Sequence, residues 1–108
     1  MCIVARAERE VERSRYRIAM ADVADKLGID VFHLTRAFNL VVGLPPGSYF
    51  RLKRMSLARQ ALLRGEPARC LVKQVALEFG FNHLGRFSDV YRRLYGEYPS
   101  ETLRRSTR

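Results

Sequence analysis

The chain has 108 residues, an apolar content of 47% and a net charge of +9. That is room for one compact domain or two small lobes with a true core, which excludes wholesale disorder. The charge is lopsided: residues 46–108 hold 13 basic and 5 acidic side chains and so carry +8 of the +9, a balance that suggests a polyanionic partner.

The front apolar run, Met1 to Ala5, is too short for a signal peptide or a membrane span, so the chain is expected in the cytoplasm with no membrane partner. Val4, Ala7 and Val11 follow helical spacing among charged residues, which predicts a first amphipathic helix over 4–15. A short second helix is expected over Met20–Leu27, ended by Gly28. Asp30 is placed to cap a third helix over 31–41. Its inward face is read as Leu34, Phe38 and Val41, and its other face as Phe32, His33, Thr35, Arg36 and Asn39.

Pro45, Pro46 and Gly47 break the pattern and open a fourth helix over 47–63, since proline suits a first helical turn. Tyr49, Phe50, Leu52, Arg54, Leu57, Ala61 and Leu62 make it amphipathic, Gly65 closes it and Pro67 prevents its continuation. At 1.5 Å per residue it is a rod of roughly 25 Å. Val72–Glu78 reads as a fifth helix, with Phe79, Gly80 and Phe81 as the turn after it. A sixth helix is expected over 83–95 with Phe87, Tyr91 and Leu94 inward, and a seventh over 100–105. No strand pattern survives these helical periods. Cys2 and Cys70 show neither metal-ligand spacing nor a redox motif, so they are read as reduced structural thiols, with no metal and no cofactor expected.

A block near the front recurs near the end. Ala24, Gly28, Leu34, Phe38, Gly43 and Pro46 are matched by Ala76, Gly80, Phe87, Tyr91, Gly96 and Pro99, with one extra residue in the second turn. Each copy has the grammar of a helix-turn-helix. A small alanine sits where two helices cross, a glycine tolerates left-handed backbone at the turn, and apolar anchors follow it. The exposed face of the second helix of such a unit can enter a major groove. Two copies in register, about 52 residues apart, point to a partner with a repeating surface, namely duplex DNA. The predicted fold is all-α, with two helix-turn-helix lobes over 1–45 and 66–108 joined by a linker helix within 46–65.

These residues resemble the DNA-binding domain of the AraC/XylS family of bacterial transcription regulators. The resemblance runs from about Val4 to Arg105. Its most specific stretch is GFNHLGRFSDVYRRLYGEYPSETL, Gly80 to Leu103, and YFRLKRMSLARQALL, Tyr49 to Leu63, is similar to the connecting helix. It implies seven helices, two recognition helices facing one side of double-stranded DNA, and RNA polymerase as a second partner. The family's separate ligand-sensing or dimerising domain has no room in 108 residues, so an effector or dimerisation domain is expected to be absent from this chain.

Carried over from the family, base contacts fall on Phe32, Thr35 and Arg36 in the first reader and on Leu84, Gly85, Arg86, Ser88 and Asp89 in the second. Arg36 and Arg86 suit guanine, Phe32 suits a thymine methyl or serves as a partly buried anchor, and Asp89 accepts from cytosine or orients Arg86 or Arg93. His33, Arg51, Lys53, Arg54, His83, Arg92 and Arg93 are the expected phosphate contacts, with Arg59, Arg104 and Arg105 as further candidates. For the two histidines a cap or surface role at the helix start is preferred to a phosphate contact, and Arg54 is read alternatively as a structural residue that bridges the lobes. The first reader is expected to carry more direct readout than the second. Two positions depart from the family: Ala19 and Leu71 stand where a serine or threonine usually caps the short helix.

Two other classes are weighed against DNA reading. A protein-interaction module with decayed readout fits the apolar start of the second reader, Leu84 and Gly85. An enzyme such as a cysteine methyl acceptor fails, because Cys2 is terminal and Cys70 has no local histidine to lower its pKa.

Overall fold

The structure, a computed structural model, describes residues 2–65 and 71–106. Among these there are seven helices and no strand: α1 Ile3–Arg13, α2 Met20–Leu27, α3 Val31–Val42, α4 Pro46–Leu63, α5 Val72–Glu78, α6 Leu84–Tyr95 and α7 Pro99–Ser106. The all-α expectation holds, and the helix bounds lie within two residues of those expected. Pro67 and Cys70 fall outside the described residues. No helix is long and apolar enough to cross a membrane, among the described residues.

The chain divides into two compact units, Met1–Lys53 and Arg54–Arg108, so the boundary falls inside α4. In the first unit, Val4, Ala7 and Val11 of α1 bury a stripe at i, i+3 and i+7. It meets Val23, Ala24 and Leu27 of α2, Leu34 and Phe38 of α3, and Phe50 from the start of α4. Phe38 sits at the centre of an aromatic group, with its ring centroid 5.5 Å from both Tyr49 and Phe50. Gly28 ends α2 at φ 73°, in the left-handed region that glycine enters without a Cβ clash. The Ile29 amide then donates to the Ala24 carbonyl at 3.0 Å, and Arg6 of α1 donates to the Leu27 carbonyl at 3.2 Å, satisfying the helix end. The buried alanine, Ala24, lets α3 cross at close range.

The second unit repeats this plan with the remainder of α4 as its first helix. Met55, Ala58 and Leu62 are buried at the same i, i+3, i+7 spacing as in α1. They pack on Val75 and Ala76 of α5 and on Phe87 and Tyr91 of α6. At the turn, the Phe81 amide donates to the Ala76 carbonyl at 2.8 Å, with Gly80 at φ 85°. Arg54 donates to the Gly80 carbonyl at 3.2 Å, taking the part that Arg6 plays in the first unit. The amphipathic linker helix is therefore an element of both cores. Leu52, expected on its apolar face, is exposed; Phe50 and Leu62 are buried as expected, and Met55 and Ala58 are buried besides.

A polar network ties α7 down. The fully buried Tyr91 hydroxyl donates to Thr102 Oγ1 at 2.7 Å and accepts from Arg59 at 3.1 Å. Thr102 in turn donates to the Glu97 carboxylate, which also pairs with Arg105 at 2.9 Å. Burial without a partner would cost a hydroxyl about 1–3 kcal/mol, so these contacts are what allow Tyr91 and Thr102 inside the core.

Two inward residues differ from expectation, at equivalent places in the two readers. Val41 is 63% exposed and Leu94 is 44% exposed. Val42 and Tyr95 pack instead, giving i, i+4, i+8 stripes through Leu34–Phe38–Val42 and Phe87–Tyr91–Tyr95. Both i+7 and i+8 lie near the stripe, so spacing alone does not separate them. The neighbouring helix decides. Ala19 and Leu71 precede α2 and α5 with no side-chain cap, as expected.

Candidate nucleic-acid interface

Each reader begins at a cap. Asp30 accepts from the His33 amide at 2.7 Å and opens α3. In the second unit the cap is a histidine, His83 Nδ1, which accepts from the Arg86 amide at 3.3 Å and opens α6. His83, read as a cap in preference to a phosphate contact, thus serves the helix start, and Gly85 packs beside its ring. His33 contributes its backbone amide to the cap and leaves its ring exposed.

Once Leu34, Phe38 and Val42 face the core, the opposite face of α3 is set by the 100° step per residue. Phe32, Arg36 and Asn39 are all exposed there, while Thr35 is half-buried at the edge. Phe32 is 87% exposed, which rules out the alternative that it is a partly buried anchor. Arg36 and Asn39 have no side-chain partner among the described residues. On α6 the corresponding face shows Leu84, Gly85, Arg86, Asp89, Arg92 and Arg93, all exposed, with Ser88 half-buried. No ion pair joins Asp89 to Arg86 or Arg93 among the described residues, so the orienting role expected for it is not formed. Asp89, Arg92, Arg93, Gly96 and Tyr98 line an open cleft of about 540 Å³. Arg92 stacks on the Tyr98 ring at 4.9 Å, which holds its guanidinium in place.

The other expected phosphate contacts separate into two groups. Arg51 is exposed with no partner among the described residues. Lys53 and Arg54 are both held by intramolecular partners. Lys53 is 2.7 Å from Glu8 and 3.8 Å from Glu12, and Arg54 lies 4.9 Å over the Phe81 ring besides its bond to Gly80. Arg59, a further candidate, is held by Tyr91 and stacks on Tyr95 at 4.6 Å. An ammonium between two carboxylates presents little net charge to a phosphate. Arg54 thus has a structural role, the alternative expected for it, while Lys53 and Arg59 carry intramolecular work that their basic character alone did not reveal.

The Lys53 cluster also perturbs titration. The hydrogen bond from Lys53 to Glu8 raises the lysine above its ordinary 10.5, against the opposing effect of burial. Burial first, and the bond to Glu8 second, raise Tyr49 above 10.0. Burial likewise raises Tyr16 and Tyr95. Both Lys53 and Tyr49 are protonated in the folded cluster. Its contribution is therefore complete below about pH 10 and is lost as pH climbs through the raised values. Replacing Lys53 by alanine should lower the stability of the first unit by up to about 1 kcal/mol, the range for a partly exposed pair, and remove part of that alkaline loss. It should leave the salt slope of DNA binding unchanged, whereas Arg51→Ala should reduce the slope by about one. Thermal melts at pH 7 and 11 and binding titrations over a salt series check both. A reduced slope for Lys53→Ala would place that ammonium on a phosphate after all.

Comparison with known proteins agrees with the repeat. A family model described as "Helix-turn-helix domain" matches residues 23–105. Over 87 residues the chain is 38% identical to the "Probable thc operon regulatory protein" of Rhodococcus erythropolis, covering 81% of this chain and 26% of that protein. Over 101 residues it is 33% identical to the "XylDLEGF operon transcriptional activator 2" of Pseudomonas putida, covering 94% of this chain and 62% of that protein. The chain thus spans about a quarter of the first relative and under two thirds of the second. A crystal structure of a "probable AraC family transcriptional regulator" from Rhodopseudomonas palustris superposes with TM-score 0.84 at 31% identity, covering 98% of each chain. These relatives are regulators, and with the two helix-turn-helix units in hand the conclusion follows that this chain belongs to the AraC/XylS family of helix-turn-helix transcription regulators and is a DNA-binding domain of that kind.

Proposed function

We propose that α3 and α6 enter successive major-groove segments of one asymmetric duplex site, with α3 reading bases and α6 chiefly holding the backbone. The observation that carries this is the exposed α3 face. Phe32 and Arg36 stand one turn apart, with no internal partner for the guanidinium among the described residues. Arginine suits the paired acceptors of guanine, and an aromatic edge suits a thymine methyl. On α6 the matching positions hold Gly85 and Asp89, which offer less, while Arg86, Arg92 and Arg93 supply positive charge. Leu84, Ser88 and His33 complete the proposed contact set. The two readers differ at every one of these positions, so no palindrome is required of a single chain.

The Pseudomonas putida relative is named as a transcriptional activator, which supports RNA polymerase as the proposed second partner. Selection of bound duplexes from a random pool, followed by sequencing, tests the reading. One asymmetric motif with a strongly specified block and a weaker one is expected. Binding with a steep salt dependence and no motif would favour a decayed reader that works through protein contacts instead.

A further inference from the structure

Three exposed side chains of α3 share the outward face, and two of them, Phe32 and Arg36, are the proposed base readers. The third is Asn39. Seven residues after Phe32, it has turned through almost two full helical turns and lies within about 20° of that ring around the axis. Arg36 lies about 40° to the other side of Phe32. The run Phe32, Thr35, Arg36, Asn39 has the spacing i, i+3, i+4, i+7. A recognition helix lying along the groove floor presents base-reading positions at that spacing.

The neighbouring residues bear on what Asn39 does. Its backbone carbonyl accepts from Gly43 at 3.2 Å and closes the helix, but its side-chain amide has no partner among the described residues. It is exposed, so it fills no part of the core. Asparagine is also among the poorer helix formers, and at an exposed interior site it adds nothing to the helix. Its carbonyl and amino groups match the N6 donor and N7 acceptor that adenine alone presents together in the major groove. At the equivalent place in the second reader stands Arg92, whose guanidinium is held on Tyr98. A bidentate amide is therefore particular to the first reader.

We propose that Asn39 is a base-reading residue that selects adenine, next to the base read by Arg36. This rests on the reading of α3 as a major-groove helix. Asn39 follows Arg36 by three residues, about 4.5 Å along the axis, so its adenine lies one or two base pairs from the guanine. From Phe32 to Asn39 the face covers about 10.5 Å, or about three base pairs at 3.4 Å each.

The test uses the full chain and its Asn39→Ala variant, each put through the same selection from random duplexes. The selected motif is then changed one base pair at a time in competition titrations. For the unaltered chain, adenine to guanine at the proposed position should weaken binding about 10-fold, and for Asn39→Ala by less than about 2-fold. Because the site is exposed and alanine favours the helix, the variant should melt no lower than the parent, which circular dichroism verifies. Asn39→Gln keeps the amide and should retain a preference at that position. An unchanged motif for Asn39→Ala overturns the proposal while leaving DNA reading by α3 intact. Equal weakening on every duplex also overturns it, and makes the residue a backbone contact. Failure of the unaltered chain to select any motif overturns the wider reading and this proposal with it.

Discussion

Replacing Phe38 by alanine should cost about 3–5 kcal/mol, the usual range for a large aromatic removed from a core. Phe38 has no exposed surface and its ring lies 5.5 Å from both Tyr49 and Phe50. Neither neighbour can collapse into the space without leaving its own contacts. Tyr49 is held to Glu8 through its hydroxyl at 3.1 Å, and Phe50 is fixed to the helix that continues into the second unit. A unit of about 53 residues has on the order of 3–8 kcal/mol of stability in total, so the substitution removes most of it. Hydrogen exchange should show the first unit opening while Val75, Ala76 and Phe87 amides keep their protection. Val41→Ala is the comparison: Val41 is exposed, so its removal should change stability by less than about 0.5 kcal/mol. A large loss for Val41 and a small one for Phe38 would mean that α3 is rotated from the face described.

The second large effect is on recognition. Arg36→Ala should remove discrimination at one base position by about 1–3 kcal/mol, which is roughly 5- to 150-fold in relative affinity. The fold should be untouched, because the guanidinium is exposed and has no partner among the described residues. The reason for expecting selectivity rather than a uniform loss is position. Arg36 lies on the middle of the outward face, one turn beyond Phe32, where a groove floor would be. Arg51, by contrast, stands on α4, outside both readers. Competition titrations against a panel of single-base variants separate the two outcomes. If the variant weakens every duplex by the same factor, the residue meets a phosphate and the reading face lies elsewhere on the helix.

The repeat could be read before any coordinates because its markers are backbone requirements. A left-handed turn is met most easily by glycine, and Gly28, Gly80, Gly43 and Gly96 all have φ between 73° and 85°. Proline at a first helical turn is equally local, and so is a carboxylate cap such as Asp30. These features depend on a few neighbouring residues, and they alone set the order, number and near-bounds of the helices. The basic readers were legible for the same reason. A helical face can be drawn from spacing, and Leu34 with Phe38 or Phe87 with Tyr91 marks its buried side.

Tertiary packing decided the rest. The choice between Val41 and Val42, and between Leu94 and Tyr95, turns on where the next helix lies, which a 3.6-residue period does not specify. Arg54, Arg59 and Lys53 look alike in sequence to Arg51. Only the fold brings Gly80, Tyr91 and Glu8 beside the first three and leaves the last alone. The double duty of α4 is of the same kind. Its local pattern is that of a long amphipathic helix, and what assigns Phe50 to one core and Met55 to another is contact between residues far apart in the chain. Local conformation depends on neighbours in sequence and is written there, whereas the partner of a charge or a buried ring depends on neighbours in space.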